Sequence, residues 1–122
     1  MHFIYLRDIQ KGVLLGTWNV VQRSGVRPAT LLAECTVLRL SDERFIAGGT
    51  AIVEGPWSFF RNRQGIYNPQ LHFRPDGLPE AQAIITKLCS IEQDKREMLQ
   101  LSLYFDDGFE LVLSRHNGSI SS

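Results

Sequence analysis

The side chains of this chain best suited to ligate a metal or to do covalent chemistry are Cys35, Cys89, His2, His72 and His116. Their spacing supports neither use. The two cysteines are far apart, form no C-x-x-C pair and lack a zinc-site spacing. The histidines are equally scattered. His72 has the opposite strand parity to Leu71 and Phe73, which turns it away from any interior haem-type site. No G-x-S-x-G is present, and neither cysteine has an identifiable histidine partner to act as its base. Asp106 and Asp107 look like a carboxylate pair, but Gly108 follows, and Asp-Asp-Gly between two apolar alternations is hairpin-turn chemistry. Gly48-Gly49 is not a phosphate loop, because no Lys-Ser/Thr follows it. The expectation is a chain with no catalytic residue, no metal site and no cofactor.

The remaining constellation with chemical reach is Trp57-Ser58-Phe59-Phe60-Arg61-Asn62-Arg63. Aromatics interleaved with arginines could stack bases and hold phosphates. Against this, Lys and Arg balance Asp and Glu at 13 each, so no net field draws the chain to nucleic acid or to an anionic membrane. The core reading of Trp57 and Phe59 is preferred, and no nucleic-acid partner is expected. No apolar run approaches the roughly 18 residues of a membrane-spanning helix, so no membrane insertion is expected. The first residues are too soon interrupted by charge to serve as a secretory signal. Two cysteines without a framework read as reduced, buried thiols, with a single disulfide as the minor alternative. The expected compartment is the cytoplasm, or an organelle if a targeting segment has been removed.

The elements that would position these residues are mostly strands. The 122 residues read as a single domain, 1–122, with 43% hydrophobic and 21% charged residues, as in an ordinary globular core. Phe3, Leu6, Ile9 and Val13 recur at helical spacing, predicting a short N-terminal helix over 3–15, with a short strand at Phe3–Leu6 as the alternative. Strands are then predicted at Thr17–Arg23, Thr30–Leu40, Phe45–Glu54, Trp57–Arg61, Ile66–Arg74, Ala81–Glu92, Leu99–Phe105 and Phe109–Ser114. Turns separate them at Ser41–Glu43, Gly55–Pro56, Asn62–Gly65 and Pro75–Gly77. Gly48-Gly49 predicts a bulge or bend within its strand. Residues 79–93 fit two readings. Pro79-Glu80 with Ile84, Leu88 and Ile91 suits a helix, whereas the β-branched Ile84-Ile85-Thr86 favours a strand. Asn117–Ser122 reads as a polar tail. The fold class is mainly β, an antiparallel up-and-down barrel, with a sandwich as the alternative.

Gly16-Thr17-Trp18, at the start of the first long strand and after a helical lead-in, resembles the G-x-W motif of the lipocalin or calycin superfamily. The resemblance implies a barrel closed at one end by Trp18, with Arg115 of the last strand packed across it. The physical basis is a cation–π contact and guanidinium hydrogen bonds to backbone carbonyls. No second lipocalin motif is present, and the chain is shorter than a secreted lipocalin and lacks its usual disulfide. It is nearer in size to intracellular lipid-binding proteins and to short lipocalin-like domains of bacteria and plastids.

In such a barrel Phe45, Trp57, Phe59, Leu71, Phe73, Leu101 and Leu103 line the interior. The small residues Ala47, Gly49 and Ala51, where a filled core wants bulk, favour a hollow barrel. The expected function is then non-catalytic binding of a small hydrophobic ligand such as an acyl chain or pigment. The alternative is a solid-packed barrel serving as an interaction or assembly module, with a protein partner or a second copy meeting the outward apolar residues Phe60, Ile52 and Val112. A weaker alternative is a lyase or isomerase acting on a hydrophobic substrate, for which Arg115 or Tyr67 would supply the interior polar group.

Overall fold

The computed structural model describes residues 2–25, 34–61, 68–106 and 108–116. Among them lie nine strands: β1 (His2–Phe3), β2 (Gly16–Ser24), β3 (Cys35–Leu40), β4 (Arg44–Gly49), β5 (Val53–Phe60), β6 (Gln70–Phe73), β7 (Ala81–Gln93), β8 (Arg96–Phe105) and β9 (Glu110–His116). A 3-10 turn at Leu6–Asp8 and a one-turn helix α1 at Lys11–Leu14 separate β1 from β2. From β2 onward each strand pairs antiparallel with the next. β9 returns to β2, with Asn19 opposite Ser114 and Ser24 opposite Glu110, and eight strands close into a barrel. β1 is added outside this ring, against Cys89 and Ser90 of β7. Closure leaves no barrel strand with an unpaired edge along its whole length, which is how short hydrophobic strands escape edge-to-edge association.

Alternation in sequence becomes alternation in burial. Leu101, Leu103, Phe105, Leu111 and Leu113 point inward and are buried. Tyr104 points outward and is exposed. The interior runs from Trp18, Ile9 and Leu14 at one end, through Phe45, Leu71 and Phe73, to Phe105 and Phe109 at the other. We call the end that holds α1 the lead-in end. The turn between β3 and β4, the tip of the β7–β8 hairpin and the last residues of β9 lie at the same end.

Two sequence expectations are revised and one alternative is settled. The lead-in is not one helix. It is broken into β1, the 3-10 turn and α1, and the helical spacing instead serves to bury Ile9 and Leu14 under the barrel. Residues 81–93 form a strand, as expected for Ala81–Glu92, and the helical alternative for 79–93 is set aside. A bulge between Ile85 and Lys87 slips the pairing by one residue, so Ile85 and Leu88 both face inward. That slip masks the two-residue period and makes the spacing look helical. Finally, Gly55-Pro56 does not turn the chain. β4 ends at Gly49, and Gly55-Pro56 lies inside β5, opposite Phe45 and Arg44. Pro56 keeps its place there because its carbonyl still accepts from the Arg74 N–H at 2.9 Å, so the missing N–H costs only the reciprocal bond of that pair.

Candidate functional site

The lead-in end is built from two tryptophans. Residues at the end of a helix leave their carbonyls without intrahelical partners. Leu14 ends α1, and the Trp18 indole Nε1 donates to its carbonyl at 2.8 Å. The Arg115 guanidinium lies 4.4 Å from the Trp18 ring centroid and donates through Nη1 to the Leu15 carbonyl. Burial lowers the pKa of Arg115 from its ordinary value. Gly16 has φ +128°, and a Cβ there would stand 3.1 Å from Arg115 Nη1. The glycine therefore serves both the backbone conformation and the arginine that covers the tryptophan. Trp57 repeats the arrangement on the other side. Its Nε1 donates to the Ser41 carbonyl at 2.8 Å, and Lys11 Nζ sits 5.3 Å from its ring, 3.7 Å from Asp42.

Above these rings the interior is full. Phe45, Leu71, Phe73, Leu101 and Leu103 are each 0% exposed, and Trp57 is 4% exposed. The walls of a cavity large enough for water would register as accessible surface, so no such cavity reaches these five side chains. Phe45 and Phe73 meet edge to face at 5.0 Å, and Phe73 stacks on Phe105 at 6.3 Å. Phe105 in turn meets Phe109 at 6.4 Å, giving a file of rings along the barrel. Of the expected lining residues only Phe59 is half-buried, with the Arg61 guanidinium 5.7 Å from its ring. The small residues do not mark an interior void. Ala47 is inside, but Gly49 and Ala51 are exposed around the β4–β5 turn. A Cβ on Gly49 would meet the Glu34 carbonyl at 2.7 Å, so Gly49 permits close approach of two backbones.

The candidates for chemistry are dispersed. Cys35 and Cys89 are buried free thiols, and burial pushes Cys35 up to about 11 against the opposing charge of Arg23. Such a thiol is a poor nucleophile. His72 faces outward, its Nε2 2.9 Å from Glu80. Arg61 donates to the Ile9 carbonyl, tying the lead-in to β5, and is not a free phosphate ligand. The buried polar side chains are Ser102 and Ser114, both on outward-facing positions among the described residues. Arg115 is committed to Trp18 and Leu15. Tyr67, Arg63 and Asp107 lie outside the described residues.

One concavity escaped the sequence reading. β7 and β8 run past the barrel wall to a tight turn at Asp94-Lys95, both with positive φ (53° and 64°). Between this overhang and the lead-in lies a groove of about 480 Å³, lined by His2, Ile4, Val13, Ser90, Glu92, Glu97 and Leu99. Its signal in the sequence was only a polar Glu92–Glu97 stretch between two apolar alternations, and neither the β1 pairing nor the hairpin tip was legible from it. Two smaller grooves lie elsewhere. One of about 390 Å³ is polar, with Gln22, Gln100 and Ser102 in its wall, and one of about 230 Å³ lies beside Ile84 and Tyr104.

Among the described residues no helix is long and apolar enough to cross a membrane. No protein-family model matches this chain, and neither does any curated protein or solved structure.

Proposed function

We propose that the chain is a calycin-like barrel whose interior is a solid scaffold, and that it acts without catalysis by binding another protein on its outer surface. The likeness to calycins rests on Gly16-Thr17-Trp18, on the Arg115 guanidinium over the Trp18 ring and on the eight-stranded antiparallel closure. The observation that carries the functional reading is the complete burial of Phe45, Leu71, Phe73, Leu101 and Leu103. A hydrophobic ligand needs those side chains to face a void, and here they face one another. An interior enzyme is disfavoured on the same ground, since Arg115, the candidate interior polar group among the described residues, is engaged with Trp18 and Leu15.

Native mass spectrometry of the protein purified from its own source tests the reading, repeated under denaturing conditions. The expected spectrum shows the bare chain or a stoichiometric complex with a second polypeptide. A mass excess of a few hundred daltons that vanishes on unfolding would restore the hydrophobic-ligand reading. A fluorescent apolar probe adds an internal standard. It should not bind wild type, and should bind Leu101→Ala, where a cavity has been opened.

A further inference from the structure

The geometry points to a binding site for a neutral oligosaccharide on the outer wall of the barrel, in the polar groove over β7, β8, β9 and β2. It is a further site and does not rest on the partner-protein reading. Four residues cross the wall in one row: Lys87 opposite Ser102, Ser102 opposite Val112, and Val112 opposite Gln22. The first and last strands of this row each carry a bulge beside it, between Ile85 and Lys87 and between Val20 and Gln22. A bulge bends its strand and raises the local twist. Two bulges at one level hollow a wall that is otherwise convex, and the groove of about 390 Å³ lies there.

Three observations select the occupant. The first is an open hydroxyl. Ser102 is 4% exposed, and its carbonyl accepts from Thr86 Oγ1 at 3.4 Å. Its own Oγ has no hydrogen-bond partner among the described residues. No sealed side-chain oxygen or nitrogen is left without a partner there, so this Oγ opens on the groove that Ser102 lines. Gln22, Gln100 and Lys87 stand around it with side chains that are likewise uncommitted among the described residues. A hydroxyl in so buried a place is costly to leave unmet, and it favours a ligand that both donates and accepts. The second is the mixture of groups. Amides and hydroxyls donate and accept, as the hydroxyls of a sugar do. Lys87 and Glu110 bring one charge of each sign, so the groove has no net pull on a polyanion. Val112 is its one apolar lining residue among those described, which gives peptide side chains no pocket. β8 and β9, which floor it, are paired on both sides and leave no edge for strand addition. The third is repetition. Glu110 stands opposite Tyr104, which borders the groove of about 230 Å³ that also holds Gln70, Gln82 and Asp106. Amide and carboxylate chemistry thus recurs beyond Tyr104, whose exposed ring lies roughly 7 Å along β8 from Ser102. A chain of sugar units can rest in both grooves and lay an apolar C–H face on the ring between them.

The test is binding of the labelled full chain to an array of neutral and charged glycans. The strongest neutral oligosaccharide is then titrated by calorimetry against wild type and three variants. Ser102→Ala should weaken it about fivefold, the size of one hydrogen bond. Gln22→Ala/Gln100→Ala should weaken it by more than about tenfold. Tyr104→Ala should weaken a long oligosaccharide more than a disaccharide, because only the longer chain crosses the ring. Wild-type binding should be the same at low and high salt, since no net charge drives it. None of the four side chains removed makes a hydrogen bond within the described fold, so thermal midpoints should stay near that of wild type, and lost binding is not lost folding. Binding confined to charged glycans, no glycan bound at all, or wild-type affinity in both Ser102→Ala and the glutamine variant overturns the site. That failure leaves the packed scaffold and its protein partner standing, because neither depends on this groove.

Discussion

The two ends of the barrel reach the same close packing by different means. At the lead-in end the strands are capped by added material. Leu14, Leu15 and Ser41 offer carbonyls to two tryptophans and an arginine, and Arg115 and Lys11 cover the rings. At the far end the described residues pack differently. There β3 and β4 run so close that backbone meets backbone, at Gly49 against Glu34, and the file of phenylalanines ends on Phe109 between β8 and β9. The first end depends on large side chains and their partners. The second depends on the lack of a side chain. A barrel can thus be sealed by a plug or by convergence, and the two should fail under opposite kinds of substitution.

The largest effect is expected from removing the plug. Trp18→Ala should lower stability by about 3–5 kcal/mol in chemical denaturation, because a fully buried indole leaves both a cavity and an unpaired Leu14 carbonyl. In a double-mutant cycle with Arg115→Ala the two losses should be non-additive by about 1 kcal/mol, since the guanidinium loses its ring in either case. Additive losses, or a Trp18→Ala cost under about 1 kcal/mol, would mean that this end is not held by the pair.

At the far end the opposite change matters. Adding one carbon in Gly49→Ala should destabilise by about 1–3 kcal/mol, because the new Cβ meets backbone, which cannot swing away. An unchanged midpoint would show that β3 and β4 separate freely and that convergence does not seal this end. The smallest effect concerns Cys35, the neighbour of Gly49 across that rung. Burial raises its pKa from 9.0 to about 11. The neutral thiol is thus favoured in the fold, its contribution is complete below pH 9, and it is lost as pH climbs from 9 through 11. Between pH 9 and 10, wild type should lose about 1 kcal/mol more stability than Cys35→Ala. Parallel curves for the two proteins would mean that this thiol titrates as it does in water.

Much of this architecture was legible because alternation is a local signal. Leu99 to Phe105 and Leu111 to Leu113 declared their inward faces directly, and Gly16, Trp18 and Arg115 could be linked through the resemblance to the lipocalin G-x-W motif and its terminal arginine. What failed were places where long-range packing overrides local chemistry. Gly55-Pro56 is turn chemistry in isolation, yet it lies within β5, held opposite Arg44 and Phe45 of β4 and by the Arg74 N–H on the Pro56 carbonyl. Residues 81–93 were read correctly as a strand from the β-branched Ile84-Ile85-Thr86, and only the bulge kept the helical alternative open. The groove was not visible at all. Its walls come from His2, Val13, Ser90 and Glu97, which no sequence period connects, and the Asp94-Lys95 tip lacks the glycine that announces most two-residue hairpins. Small residues misled in the other direction: Gly49 suggested a void and instead records a near-contact.

The seam between β2 and β9 has a consequence for how the chain is made. Residues 19–24 pair with residues 110–114, among the longest sequence separations of any pairing in the barrel. During synthesis from the N-terminus, β2 emerges before β9 and waits for this second neighbour until residues 110–114 have been translated. Trp18 waits equally long for Arg115. Until then the barrel cannot close, and one edge of β2 is able to pair with other chains. Closure is the final step, and its rate relative to translation should decide how much of the product reaches the barrel and how much associates through that waiting edge.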